Sequence, residues 1–214
     1  AEKISGEPIK KWLWNSDTSV LSRSDRSQLS ITVASLAIAK ALEVQGILPD
    51  AVAGFSLGEY PALYTSGILS FSDTIKIVKQ RGIFMQEACD KIQNETASNK
   101  ATSIDESANK APGMAAIIGL ETEFIIEMLK DYSGENGIVF PVNMNSPKQT
   151  VVAGTAEGLE LCENLCKEKG ARRFIRLQVA GPFHSPLMKN AAEKFETFLQ
   201  DFDFQNPKIH FYSN

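Results

Sequence analysis

The chain is poor in cysteine, histidine and basic charge, and it has no long uninterrupted apolar run. Three cysteines stand among 214 residues, Cys89, Cys162 and Cys166. That is too few for a disulfide framework, and their spacing matches no zinc site, so no metal is expected. Cys162 and Cys166 fall four apart on an expected helix beside Leu159 and Leu165, the pattern of small core residues. Unpaired thiols fit a reducing cytoplasm, the expected location. Asp and Glu (26) outnumber Lys and Arg (22), giving a net charge of −4 and a pI near 5.3. Such a balance supplies no basic field for nucleic acid. No apolar run approaches the ~18 residues that span a bilayer. The start, Ala1-Glu2-Lys3-Ile4, carries no apolar core of a signal peptide. Neither nucleic acid nor a membrane is expected as a partner. Only two histidines exist, so chemistry that needs an imidazole has two candidates.

What remains is ordinary for a globular protein: 43% apolar and 22% charged residues, enough to bury a sizeable core in one large domain, or one domain with an insert. Residues 30–44 predict a buried helix through Leu36, Ile38, Ala39 and Leu42, ended by Gly46 and Pro49. Residues 50–55 predict a short strand, 57–65 a helix closed at Gly67, with Pro61 near its first turn. Ser72 is the expected cap of a helix running to about Ile92. Residues 93–112, QNETASNKATSIDESANKAP, bring one large apolar residue, Ile104, and predict a flexible surface loop.

Residues 113–179 then follow their own rhythm. Strands are expected at 114–119, 138–143, 150–154 and 173–179, with helices at 122–132 and 156–169. That order, βαββαβ, is the order of a ferredoxin-like module. The expected class is α/β, a hydrolase-like parallel-sheet domain (1–112 and 180–214) holding an inserted ferredoxin-like subdomain (113–179). The large domain resumes with a helix at 186–201 and a strand at 209–212. The chain stops directly after that strand, so a fragment of a longer protein is expected.

The segment Ala53-Gly54-Phe55-Ser56-Leu57-Gly58-Glu59-Tyr60 is a G-x-S-x-G sequence between an expected strand and helix. Such an elbow raises a serine hydroxyl toward the positive end of the next helix, where backbone N–H groups can receive an oxyanion. Acyl chemistry through a serine ester follows. Serine needs a base. His184, in Gly181-Pro182-Phe183-His184-Ser185-Pro186, sits in a loop fixed by small residues and prolines and is the candidate; His210, mid-strand, is expected to be structural or on the surface. Arg81 shares a stripe with Val78, Met85, Ala88 and Ile92. A guanidinium on an apolar stripe needs an anion, either an internal carboxylate such as Glu59 or Asp73, or a bound carboxylate held bidentately. Gly82 beside it admits close approach by another backbone or a ligand.

The motifs GFSLGEY, RGIFMQEA, GMAAIIGL, VNMNSPKQTVVAG and GPFHSPLM, in that order, resemble the malonyl-CoA:acyl carrier protein transacylase family, kin to the acyltransferase domains of fatty-acid and polyketide synthases. The resemblance covers the chain from about Arg26 onward and implies a ping-pong transfer. Ser56 would attack the thioester of malonyl-CoA while His184 takes its proton, the Leu57 N–H would hold the oxyanion, and Arg81 would pair with the malonyl carboxylate. Met85 and Phe183 match positions lining the acyl pocket, and Asn145 and Asn143 match a polar loop of the small subdomain near the site. The acyl group would pass to the phosphopantetheine thiol of acyl carrier protein, with coenzyme A thioester as substrate and no permanently bound cofactor. Phe183 resembles the malonyl-type pattern, since methylmalonyl-type relatives carry a smaller residue there.

The chain departs from the family in four places. Phe55 replaces a commoner histidine, which predicts altered elbow packing, and Pro61 replaces a small residue. An early Gly-Gln-Gly-Ser-Gln segment with a second oxyanion donor is absent, as is a late Gln that orients the histidine. Loss of one oxyanion donor implies ~10²–10³ in kcat. Two other readings share the elbow. A serine esterase or thioesterase of the α/β-hydrolase type would want an acidic triad residue between serine and histidine, and it leaves Arg81 without a task. A non-catalytic binding module would form no acyl-enzyme.

Overall fold

A computed structural model of the chain describes residues 1–99, 111–134 and 137–214. Four helices lead off: α1 (Glu2–Ser5), α2 (Ile9–Asn15), α3 (Thr18–Leu21) and α4 (Ser24–Val44). Strand β1 (Ala51–Ala53), a single 3-10 turn (Ser56–Gly58), α5 (Glu59–Thr65) and α6 (Phe71–Asn99) follow. Next come β2 (Gly113–Ile118), α7 (Thr122–Met128), β3 (Val139–Ser146), β4 (Gln149–Gly154), α8 (Ala156–Glu168) and β5 (Arg173–Arg176). Helix α9 (Lys189–Leu199) and β6 (His210–Tyr212) complete the order. The chain divides into two compact units, Ala1–Phe84 with Glu193–Asn214, and Met85–Ala192.

In the first unit, Leu29 and Leu36 of α4 pack with Ile9 and Ile75, flanked by Trp12, Leu13, Val33 and Tyr64. Helix α4 starts at Ser24, earlier than the apolar run suggests, and its expected burial is corrected. Ile38 is 63% exposed and Leu42 45%. At about 100° per residue, Ile38 lies roughly 200° round from Leu36, on the opposite face. Among the described residues α4 is the one helix long and apolar enough, by length and composition, to cross a membrane. Its Ser and Thr residues keep any apolar run short, which is why the sequence showed no such length.

Strands β1 and β6 pair in parallel, Ala51 with His210 and Ala53 with Tyr212. Behind them Ile68, Leu69 and Ile77 form a core with Tyr60, Leu63, Phe195, Phe198, Phe202 and Phe211. Backbone bonds from Gln205 to Ile68 (2.9 Å) and Lys208 to Ser66 (2.7 Å) fasten the approach to β6 along the α5–α6 connection. The cap of α6 is Ser70, not Ser72. Its hydroxyl accepts from the Asp73 N–H at 3.1 Å and donates to the Asp73 carboxylate at 2.6 Å, satisfying one of the N–H groups a helix start leaves open. Helix α6 runs past Ile92 to Asn99, so the expected loop begins later; residues 100–110 of it lie outside the described residues.

The second unit contains a four-stranded sheet in the order β3-β4-β2-β5, with every neighbouring pair antiparallel. With α7 and α8 between its strands this is the ferredoxin-like module, and the expected α/β class stands. Central β2 reads GMAAII because it is covered on both faces. Ala115 and Ile117 join Leu159, Cys162 and Cys166, while Met114 and Ala116 join Val151 and Ala153. Strand β3 extends through Asn145 to Ser146, where a loop was expected, because Gln149–Gly154 pairs along its whole length with register shifts at 141–143 and 144–146. Thr155 caps α8 by accepting from the Gly158 N–H at 3.1 Å.

All three cysteines are buried as free thiols, the core role expected of Cys162 and Cys166. Burial pushes the Cys89 thiol up to about 12, far from the thiolate that reacts. We expect a thiol reagent such as 5,5′-dithiobis(2-nitrobenzoate) to label the folded protein slowly at pH 8 and the denatured protein at three positions. Rapid labelling of the folded protein would contradict this burial.

Candidate active site

The turn that carries Ser56 is built from a steric demand. A Cβ on Gly54 would meet the carbonyl oxygen of Gly58 at 2.0 Å, so the chain can fold back over itself only with glycine there. Ser56 then takes φ 49°, a left-handed backbone, and opens a 3-10 turn in which the Gly58 N–H bonds the Phe55 carbonyl at 2.9 Å. The Leu57 N–H has no acceptor among the described residues, as an oxyanion donor requires. Phe55 is 63% exposed.

Glu59, in the first turn of α5, takes the Ser213 hydroxyl at 2.8 Å and the Asn214 N–H at 3.1 Å on one carboxylate oxygen. The carboxylate thus fastens the segment after β6 to the elbow helix. Arg81 is half-buried on α6. Its Nη1 donates to Gln28 Oε1, and its guanidinium carbon lies 5.4 Å from the centre of the Tyr60 ring. Burial pushes its pKa down, and the nearby Tyr60 and Glu59 oppose that shift. The internal ion pair with Glu59 or Asp73 does not form. Glu59 is taken as described, and Asp73 receives Ser70 and Lys76. Gly82 serves a backbone approach rather than a ligand, for a Cβ there would meet Ser24 O at 2.9 Å and Asp25 Cα at 3.0 Å.

In the second unit the 181–186 segment is tied at several points. The Phe183 N–H bonds Gly181 O at 3.0 Å, and the Ser185 hydroxyl bonds Pro182 O at 2.6 Å. Phe183 rests on Met114, Ala116, Val151 and Ala153. A Cβ on Gly181 would meet Cys89 Sγ at 2.3 Å, so glycine lets the segment lie on α6. His184, between these ties, is exposed and takes φ 62°. Met85 is half-buried on α6, Asn143 half-buried and Asn145 exposed on β3.

The first unit thus holds Ser56, Leu57 and Arg81, joined through Tyr60, which follows Ser56 on α5 and carries the guanidinium on its ring. The second holds His184, Phe183, Met85, Asn143 and Asn145. His210 is an exposed strand residue. Ser56 and His184 are the two non-glycine residues with positive φ among those described. Such backbone costs on the order of 1–3 kcal/mol per residue and collects at functional sites. Sequence reasoning missed Gln28 and Tyr60 as partners of Arg81; the one sign of Gln28 was an amide on the buried side of an apolar helix.

The elbow, the strained histidine turn and the ferredoxin-like module together define an acyl transferase domain, and the chain belongs to that family, which it matches over residues 2–118. The malonyl CoA-acyl carrier protein transacylase of Bacillus subtilis is 38% identical over 214 residues, covering 100% of this chain and 62% of that protein. The crystal structure of MCAT from Streptococcus pneumoniae superposes with a TM-score of 0.82 at 31% identity, covering 100% of this chain and 63% of the other. A malonyl-transacylase solved in complex with its type II PKS acyl-carrier protein gives 0.82 at 33% identity, covering 98% and 62%. The chain therefore spans about three fifths of the length of these relatives.

Proposed function

We propose that the protein carrying this chain moves a malonyl group from malonyl-CoA to the phosphopantetheine thiol of an acyl carrier protein, for fatty-acid or polyketide synthesis. The observation that carries this reading is the coincidence of strain and chemistry. The two non-glycine left-handed residues, Ser56 and His184, are the hydroxyl and imidazole the transfer needs, in a chain alike over its whole length to a transacylase of that name.

The Ser56 hydroxyl adds to the thioester carbonyl as His184 accepts its proton. The Leu57 N–H receives the oxyanion. Collapse expels the coenzyme A thiolate, which takes the proton from His184 and leaves a malonyl ester on Ser56. The carrier thiol then gives its proton to His184, attacks the ester and carries the malonyl group away, and the serine recovers its proton. Arg81 pairs with the malonyl carboxylate, Met85 and Phe183 line the acyl pocket, and Asn143 and Asn145 supply polar contacts at its edge. No permanently bound cofactor takes part. The thiols, free and buried, support a cytoplasmic setting. The ferredoxin-like module, and an Arg81 that makes no ion pair among the described residues, disfavour an α/β-hydrolase esterase.

Intact mass of protein mixed with malonyl-CoA should show one malonyl adduct, discharged when holo carrier protein is added. Free malonate without acylated carrier would instead establish a hydrolase. Arg81→Ala should lower kcat/KM for malonyl transfer by about 10²–10³, the scale for removing one partner of a desolvated ion pair. Acetyl transfer should fall far less; equal losses would end the carboxylate role.

A further inference from the structure

The partners of Arg81 share one property: among the described residues they are uncharged. Its Nη1 donates to the Gln28 carbonyl oxygen. A guanidinium only donates, so the amide must present its oxygen there and its nitrogen elsewhere. That nitrogen donates to Ser24 Oγ at 2.6 Å, and Gln28 is 6% exposed, so the amide is locked. On another side the Tyr60 ring lies 5.4 Å from the guanidinium carbon, and that ring is itself braced edge-on by Phe195 at 6.3 Å. Glu59, the acid whose charge acts on Arg81, is engaged by Ser213 and Asn214.

We propose that Gln28 and Tyr60 are positioning residues that select acyl groups ending in a carboxylate, by aiming the Arg81 guanidinium without neutralising it. This rests on reading Arg81 as the carboxylate anchor. The Gln28 amide and the Tyr60 hydroxyl engage two of the five donors and neither carries a charge, so donors remain for a substrate carboxylate. The ring's negative face offsets part of the cost of burying the charge. A carboxylate in place of the amide would hold the guanidinium just as firmly, but the substrate would then have to displace it. Orientation and charge are thus separable, and the fold supplies only the first.

The test is Gln28→Glu, which keeps shape and adds charge, read beside Arg81→Ala, Tyr60→Phe and Tyr60→Leu in the full-length enzyme. For Gln28→Glu the malonyl-to-acetyl ratio of kcat/KM should fall about 10²-fold, mostly through KM, because a like charge now fills the anchor. The thermal midpoint should hold or rise, the opposite of a merely structural lesion. Tyr60→Phe keeps the ring face and should hold the ratio within about threefold, whereas Tyr60→Leu should lower it about tenfold. Should Gln28→Glu not fold, the Tyr60 pair decides alone, and equal ratios for Phe and Leu overturn the proposal. An unchanged ratio in Gln28→Glu, with a lowered one in Arg81→Ala, also overturns it. An unchanged ratio in Arg81→Ala removes the anchor reading itself.

Discussion

Replacing Ser56 by alanine is expected to abolish the malonyl adduct and to lower kcat by about 10⁴-fold or more, as removal of the nucleophile does in other serine enzymes. The hydroxyl leaves without disturbing the turn, because the turn is set by backbone: Gly54 under Gly58, the Phe55 carbonyl receiving the Gly58 N–H, and the left-handed φ of residue 56. Alanine accepts that φ no better than serine, so stability should change by less than about 1 kcal/mol. The measurement is intact mass after exposure to malonyl-CoA, with circular dichroism as the folding control. An adduct that persists on the variant would move the nucleophile to another residue.

Gly54→Ala should do comparable damage by a different route. Its methyl carbon would sit 2.0 Å from backbone atoms of Gly58, and backbone cannot swing aside as a side-chain tip can. Either the 3-10 turn opens and Ser56 is misaimed, or β1 shifts against β6. We expect a loss of at least about 3 kcal/mol in stability, in the range of severe core overpacking. Acyl-enzyme formation should vanish together with it. Gly58→Ala is the control, for a Cβ there meets nothing within 4 Å. If the two alanine variants behave alike in urea melts and adduct formation, the crossing of 54 under 58 is not what shapes the turn.

Much of this was legible along the chain. The G-x-S-x-G elbow announced itself because glycine spacing around a serine reports a backbone crossing directly. The ferredoxin-like module was readable because Asn145-Ser146-Pro147-Lys148, Gly154 and Gly170 punctuate short apolar runs. Other features were not local and left no trace. Gln28 and Arg81 are 53 residues apart, and no periodicity links them. Leu36 and Ile38 are equally apolar, and only packing decides which faces Ile9 and Ile75. Ser70 and Ser72 flank the first residue of α6, and only Ser70 stands where its hydroxyl meets the Asp73 N–H. The left-handed turn at His184 had no glycine to mark it; it is held by Ser185, Pro182 and Phe183 instead.

The pairing of Ala51–Ala53 with His210–Tyr212, and the hold of Glu59 on Ser213 and Asn214, have a temporal corollary. During synthesis the segment carrying Ser56 leaves the ribosome long before the strand that pairs with β1. Contacts so far apart in sequence form late and slowly. Under the proposed transfer, Ser56 would gain its role only after the distal strand has docked beside β1.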